Sequence, residues 1–267
     1  MKTTRNITLE SVKQVYSGPE GDLWELIMGE QIHIGGFQSS MDLAERAGIH
    51  AGAKGVDFCC CNGAGMRFLV RFRNVDSMHG VDATRTVVER GRERCKAEGL
   101  ADRIRFTLAD ATASGLPDGC ADFVWGEDAW CYVMNKEKLI SEAARLVRPG
   151  GRIAFTDWIE GEKGLSDAEA ERFLQFMKFP NVQDRGGYER LLERKGCRVE
   201  VAEDTGRFAP YVDLYLDMVG KQLTFDALKI IGFDMEMLKA ISKEMGFMQG
   251  LAHAGKIAQG VFVATKP

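Results

Sequence analysis

The sequence predicts an α/β protein with a doubly wound, mostly parallel sheet, an antiparallel last strand and a helical cap. Three observations predict it. From about residue 55, short apolar runs alternate with helical patterns at the spacing of βαβ units. The first of these runs ends in a turn of small residues, Asn62-Gly63-Ala64-Gly65. Two late strand-like runs, 197–202 and 260–265, are separated by a long stretch rich in Leu, Met and Phe at helical spacings.

In chain order, residues 55–61 read as a short buried strand, followed by a helical stretch to residue 71. Residues 77–82 form a second strand and 84–98 a charged, exposed helix. Two further strands lie at 104–109 and 121–126. Asn135 is placed to cap an amphipathic helix in which Leu139, Ala143, Leu146 and Val147 share a face. Pro149-Gly150-Gly151 stops that helix, and a fifth strand runs over 152–158. Ser166 with Glu169 has the spacing of a capping box, opening a helix to residue 178. Residues 187–195 are helical, 197–202 strand-like, 212–248 helical, and 260–265 make the last strand. The expected organisation is an N-terminal helical segment (1–54) covering a cofactor site, a cofactor-binding core (55–158), and a cap with the last two strands (159–267).

Composition excludes several classes. Of 267 residues, 45% are hydrophobic and 28% charged, so a packed core is expected rather than disorder. A net charge of −4 gives no reason to expect nucleic acid or an anionic membrane as partner. No apolar run approaches the ~20 residues of a membrane span, and the N-terminus lacks the apolar region of a secretory signal. Seven cysteines, three of them consecutive (Cys59, Cys60, Cys61), do not form the spaced, even framework of a disulfide scaffold. A reduced, cytoplasmic protein, monomeric or homodimeric, is the expectation.

The turn at Gly63 lets backbone approach a ligand and points a helix N-terminus at it. Nineteen residues later, Asp82 ends the second strand, where a carboxylate can accept from both ribose hydroxyls of an adenosine. Phe68 occupies the third glycine position of a dinucleotide fingerprint, which disfavours NAD.

From about residue 55 to 158 the chain resembles class I S-adenosylmethionine-dependent methyltransferases. Asp57-Phe58-Cys59-Cys60-Cys61-Asn62-Gly63 is similar to their first motif, with Cys59 and Cys61 standing where glycines are expected. Asp82, followed by Ala83, matches the ribose-binding acid, and Ala109-Asp110-Ala111 the segment at the adenine. Asp122-Phe123-Val124-Trp125 and Leu146-Val147-Arg148-Pro149-Gly150-Gly151 resemble two later motifs. Within that family, Ile32-His33-Ile34-Gly35, Gly63-Ala64-Gly65-Met66-Arg67-Phe68-Leu69, Glu127-Asp128-Ala129-Trp130 and Phe155-Thr156-Asp157-Trp158 resemble the sarcosine/dimethylglycine methyltransferase-like branch. The resemblance implies a seven-stranded Rossmann-like sheet, S-adenosyl-L-methionine as cofactor, and a small-molecule methyl acceptor. It implies cofactor contacts from Asp57, Cys59, Cys61, Gly63, Arg67, Asp82, Ala83, Asp110, Ala111 and Glu127. N-methylation of a small amine of the sarcosine/dimethylglycine type is the leading expectation; O- or C-methylation of a natural product, or cofactor binding without turnover, are the alternatives.

Each candidate has a plainer reading. Adjacent strand residues point to opposite faces, so Cys59, Cys60 and Cys61 cannot converge on one metal ion, and no metal is expected. Asp57 reads as a carboxylate that orders the loop by accepting backbone N–H bonds. Arg67 is either a salt-bridge partner or a contact to the cofactor carboxylate. Asp128 and His33 are candidates to accept the proton an amine sheds, and His33 is equally a packed, hydrogen-bonded histidine. Trp130, Tyr132 and Trp158 fall at the ligand edge of the sheet and, with Tyr211, are expected to wall the acceptor pocket. Ring faces there would suit a sulfonium or ammonium.

Overall fold

In the computed structural model, which describes residues 1–4 and 6–267, the chain opens with a two-residue strand, β1 (Lys2–Thr3). Three helices follow: α1 (Leu9–Tyr16), α2 (Pro19–Met28) and α3 (Gly36–Arg46). Thr8 caps α1 and exchanges bonds with Ser11 in a capping box, while Pro19 opens α2, where its missing N–H is harmless. The alternating core comprises β2 (Lys54–Phe58), α4 (Ala64–Phe72), β3 (Ser77–Asp82), α5 (Arg85–Ala97), β4 (Ile104–Leu108), β5 (Ala121–Glu127), α6 (Lys136–Leu146) and β6 (Val147–Glu160). A 3₁₀ turn, Trp130–Tyr132, links β5 to α6. Then come α7 (Asp167–Met177), β7 (Asn181–Asp184), α8 (Arg185–Arg194), β8 (Arg198–Asp204), α9 (Phe208–Lys221), α10 (Thr224–Ile230), α11 (Met235–His253) and β9 (Ile257–Thr265).

Seven strands form the expected sheet. Strands β4, β3, β2, β5 and β6 lie side by side and parallel. The last strand, β9, runs antiparallel to β6 from Arg152↔Thr265 to Glu160↔Ile257, and β8 runs antiparallel to β9 at the edge. The strands β7 and β1 extend this sheet beyond the end of β5: β7 pairs parallel with Ile159 and Glu160, and β1 antiparallel with β7. Neither has an apolar run to betray it, and both exist only because β6 outlasts β5. Strand β6 also begins earlier than expected. Val147 already pairs Ala121, and Pro149-Gly150-Gly151 bulges out before Arg152 meets Phe123.

Helices α3 and α4 cover one face of the sheet over Leu43, Met66, Leu69, Phe123 and Trp125. Helices α6 and α8 cover the other, over Val124, Leu139, Phe155, Tyr188 and Phe262. Phe123 and Trp125 on one side and Val124 on the other follow strand alternation. A third apolar cluster joins α2, α7, α9 and α11 around Trp24, Trp158, Phe173, Phe179, Phe208 and Met248. The expected capping box at Ser166 and Glu169 and the Asn135 cap are both present. The stretch 212–248 is three helices rather than one. Gly232 and Phe233 hold positive φ (65° and 59°) between α10 and α11, a break that helical periodicity does not register.

Candidate functional site

At the carboxyl ends of the parallel strands lies a cavity of about 330 Å³, open on one side. Open α/β sheets bind ligands at this edge, because loops diverge there and helix N-termini converge on it. Its floor is the turn after β2, one wall comes from β3 and the segment after β4, and the far wall from β5 and the 3₁₀ turn. Thr8, Leu9, Val12 and Tyr16 of the first helix, and Glu30 to His33 between α2 and α3, close over it.

The turn after β2 keeps a glycine-type backbone without the glycines. Cys59 and Cys61 have φ of 58° and 48°, in the left-handed region that costs an L side chain roughly 1 kcal/mol or more. The tertiary bonds hold them there. Asp82 Oδ2 accepts from the Cys61 N–H at 3.0 Å, its Oδ1 from the Thr84 N–H at 2.8 Å, and the Cys59 N–H bonds the Val81 carbonyl at 2.8 Å. Burial pushes all three thiols in this turn up, Cys61 to about 12, so they face the cavity as neutral S–H groups. Among the described residues, no group of three or more His, Cys, Asp or Glu side chains is arranged to hold a metal ion.

Two expectations about this turn are corrected. Asp82, not Asp57, orders the loop. The Asp57 carboxyl is 95% buried, lines the cavity, and accepts no hydrogen bond among the described residues. Burial, and then the Glu127 and Asp82 carboxylates, raise it well above the usual carboxylate range. Gly63 caps α4 with φ of 77° but turns towards Phe106 and Met66, away from the cavity. The exposed backbone is that of Gly65, where a Cβ would lie 2.5 Å from Glu127 Oε2 and 3.6 Å from Asp57 Oδ2. Of the two readings of Arg67 the salt bridge is the one seen: it bonds the Asn62 carbonyl (2.7 Å), Glu98 (3.1 Å) and Glu30, and does not line the cavity as a cofactor contact would.

Further along the wall, Ala83, Asp110 and Ala111 line the cavity as expected. Asp110 Oδ1 accepts the Thr112 N–H at 2.7 Å, and Oδ2 has no hydrogen bond among the described residues. At the other end, Glu127 Oε1 accepts from Ser40 Oγ (2.6 Å) and lies 3.4 Å from His33 Nε2. His33 is 3% exposed, lines the cavity, and its Nε2 lies 3.2 Å from Ser40 Oγ.

Asp128 is held rather than free. Its Oδ2 accepts the Ile34 N–H at 2.8 Å and the Gln259 amide at 2.8 Å, and Oδ1 accepts Gln259 again at 3.0 Å. It sits at φ of 51°, and burial raises its pKa above the usual range. It fastens the segment carrying His33 to β9. Tyr215 does the same from the cap, donating to the His33 carbonyl (3.3 Å) and accepting the Gly35 N–H (3.2 Å). Tyr211, expected at the acceptor, packs beside Tyr215 and Gly35 outside the cavity.

Behind the main cavity is a chamber of about 20 Å³, walled by Tyr16, Trp24, Tyr132 and Trp158 with Met28 and Met177. His33 and Asp128 border both spaces. The Tyr16 hydroxyl donates to Tyr132 at 2.9 Å, and burial pushes both phenols up, so they are neutral donors and acceptors. Trp130 does not belong to this wall. It is fully buried, stacked on Phe155 at 4.0 Å, with Gly126 directly beneath its indole. The 3₁₀ turn points residue 130 into the sheet and residue 132 out of it.

Residues 56–155 match the family described as a methyltransferase domain. The chain carries a methyltransferase domain, and its relatives named as methyltransferases support a class I S-adenosylmethionine-dependent enzyme. It falls in the small-molecule class. Among the curated proteins, the methyltransferase is 28% identical over 202 residues to the 27-O-demethylrifamycin SV methyltransferase of Amycolatopsis mediterranei, covering 70% of this chain and 74% of that one. It is 27% identical over 222 residues to the dimethylglycine N-methyltransferase of Parasynechococcus marenigrum, covering 76% and 78%. A Galdieria sulphuraria structure described as a sarcosine dimethylglycine methyltransferase superposes with a TM-score of 0.83 at 19% identity, over 93% of this chain and 97% of that one. Of the residues that shape the methyltransferase's site, Tyr16, Trp24, Ser40, Gly65, Tyr215 and Gln259 were not singled out by sequence. Tyr16, Trp24, Ser40, Tyr215 and Gln259 come from helices and a strand outside the motif-bearing core. Gly65 stands inside the first motif, where spacing alone favoured Gly63.

Proposed function

We propose that this methyltransferase transfers a methyl group to the nitrogen of a small amine. The observation that carries the reading is the aromatic chamber behind His33 and Asp128. Four aromatic side chains line it, and aromatic rings suit an ammonium at roughly 0.5–2 kcal/mol for each well-placed ring. About 20 Å³ has room for little more than a methyl-sized group, so the acceptor is small at that end.

The residues fit S-adenosylmethionine. Asp57 is a buried carboxylate without a partner, beside Glu127 and next to the bare backbone of Gly65, which suits the ammonium of the methionine portion. Each Asp82 oxygen keeps a lone pair after its one backbone bond, enough to accept two ribose hydroxyls. The Asp110 Oδ2 is free for the adenine end, and Cys59, Cys61, Ala83 and Ala111 shape the space between. Residues 1–54 cover this cofactor half, through Thr8 to Tyr16 and Glu30 to His33, and limit the access of water to it. The cofactor brings an already activated methyl group.

The chain's task is then to hold the acceptor nitrogen in line with that carbon and to take the proton an amine must lose. His33 borders both spaces and is the residue placed to take it; Glu127 and Ser40 fix its ring. Asp128 positions the His33 segment. This revises the assignment of Asp128 as the base, since Ile34 and Gln259 already hold both of its oxygens in a structural role. Seven free cysteines support a reduced, cytoplasmic setting. Methyl transfer from labelled S-adenosylmethionine to a panel of small amines, phenols and thiols tests the reading: turnover of amines supports it, and methylation of phenols or thiols alone overturns it.

A further inference from the structure

Helices α1 and α2 meet their two neighbours through different chemistry. Val15 of α1 and Leu23, Trp24 and Ile27 of α2 pack into the apolar cluster of α7, α9 and α11. Among the described residues, none from α1 or α2 joins the apolar cluster that α4 and α5 share. On that side the contacts are ionic. Asp22 and Glu25 of α2 lie 3.0 and 3.1 Å from the guanidinium of Arg90, and Glu25 also takes Arg94, one turn further along α5. Glu30 pairs with Arg67 of α4. Two neutral bonds lie along the same seam: Thr86 to Ser17 at 3.3 Å, and the Asn62 amide to the Glu30 carbonyl at 3.3 Å. Glu30, Asn62, Thr84 and Val87 all line the cavity, so the seam runs along its edge beside Asp82. The chain leaves α2 through Gly29, at φ of 81°, and is fastened again at Ile34 by Asp128 and Gln259.

We propose that S-adenosylmethionine and S-adenosylhomocysteine enter and leave through this seam, and that the cluster of Glu25 with Arg90 and Arg94 holds it shut. Parting α2 from α5 uncovers no shared apolar cluster, whereas parting it from α9 and α11 would expose Trp24 and Ile27 to water. Ion pairs between part-exposed side chains are individually weak and are screened by salt; apolar packing is not. The cover therefore opens at its ionic edge and stays seated on the cap, and ionic strength sets how fast the cofactor product departs.

Release of S-adenosylhomocysteine tests this, because that ligand has no net charge at neutral pH and no methyl acceptor enters the measurement. Labelled S-adenosylhomocysteine bound to the whole chain is chased with unlabelled ligand, and its dissociation rate is followed. In the wild type the rate should rise roughly threefold or more between about 0.05 and 0.5 M NaCl. Glu25→Gln should raise it about fivefold at low salt and flatten the salt dependence, and Arg90→Gln should do the same to a smaller degree. Glu244→Gln, which removes an ion pair with Arg172 between α7 and α11 far from the seam, should leave the rate as it is. A wild-type rate indifferent to salt overturns the proposal. So does a rate unchanged in both seam variants, or one raised as much by Glu244→Gln as by Glu25→Gln.

Discussion

Asp82 works twice: it accepts the Cys61 and Thr84 N–H groups, which shapes the turn, and presents its remaining lone pairs to the cavity. Replacing it with alanine should weaken S-adenosylhomocysteine binding by about 2–4 kcal/mol in calorimetry, combining lost charge-assisted bonds with a loosened loop. An unchanged Kd in a folded variant would remove it from the cofactor site. Cys59 and Cys61 carry a different prediction. Their left-handed φ favours glycine, while glycine returns entropy to the unfolded chain, so the two effects partly offset. Cys59→Gly or Cys61→Gly should raise stability by about 0.5–1 kcal/mol, seen as a small rise in Tm, with cofactor affinity kept or improved. A fall in Tm would show that the thiols contribute packing that outweighs the strain. Trp130→Ala should cost about 3–5 kcal/mol in denaturant unfolding, because it empties a stacked core site. Tyr132→Phe should instead leave stability nearly intact and raise the acceptor KM, since only the bond with Tyr16 and a polar contact to the chamber are lost.

At the scale of elements, the turn between β5 and α6 is held from below by a buried ionic group. Lys136 donates to the Cys131 and Val133 carbonyls at 3.2 and 2.6 Å. Asp157 accepts from the Cys131 N–H at 2.9 Å and from the Tyr188 hydroxyl. Burial lowers Lys136 to about 8, opposed by the Asp157 charge, and raises Asp157 to about 6, opposed by Lys136. For Lys136 the unfolded chain binds its proton more tightly than the folded one between pH 8 and 10.5, so stability from this group rises with pH across that window. Asp157 acts the other way: its folded pKa is above the unfolded value, and its contribution falls as pH rises from about 4 to 6. Lys136→Met should destabilise at pH 7, leaving two carbonyls and a carboxylate short of a partner. The stability gap to wild type should widen from pH 8 to 10.5; a gap independent of pH would show that Lys136 keeps its ordinary pKa in the fold.

For the whole molecule, the cavity gathers side chains from the first helix, the sheet and the segments after four parallel strands, so a ligand there braces distant parts of the chain. S-adenosylhomocysteine at a hundred times its Kd should add about 2.7 kcal/mol and raise Tm by several degrees. Amides of the first helix and of the Glu30–His33 segment should gain hydrogen-exchange protection together with those of the β2 turn. Protection confined to the β2 turn would show that the N-terminal helices do not close on the cofactor. No helix among the described residues is long and apolar enough to cross a membrane.

The order and type of the elements from β2 to β6, the Asn135 and Ser166 caps, and the positions of Asp82, Asp110 and Glu127 at the cavity were legible in the sequence. Each depends on local chemistry: strand alternation, cap residues, and motifs whose spacing is set by one βα turn. What the fold alone decided are the matters of direction and partnership. Whether Asp57 or Asp82 takes the loop N–H groups, which of Gly63 and Gly65 opens onto the ligand, and which of Trp130 and Tyr132 leaves the core all turn on a rotation of one or two residues. The engagement of Asp128 by Gln259 joins positions 131 residues apart. The aromatic chamber draws on α1, α2, the 3₁₀ turn, β6 and α7 at once. Contacts of that sequence separation leave no periodicity behind, because they are fixed by how the cap packs on the sheet rather than by any element's own pattern.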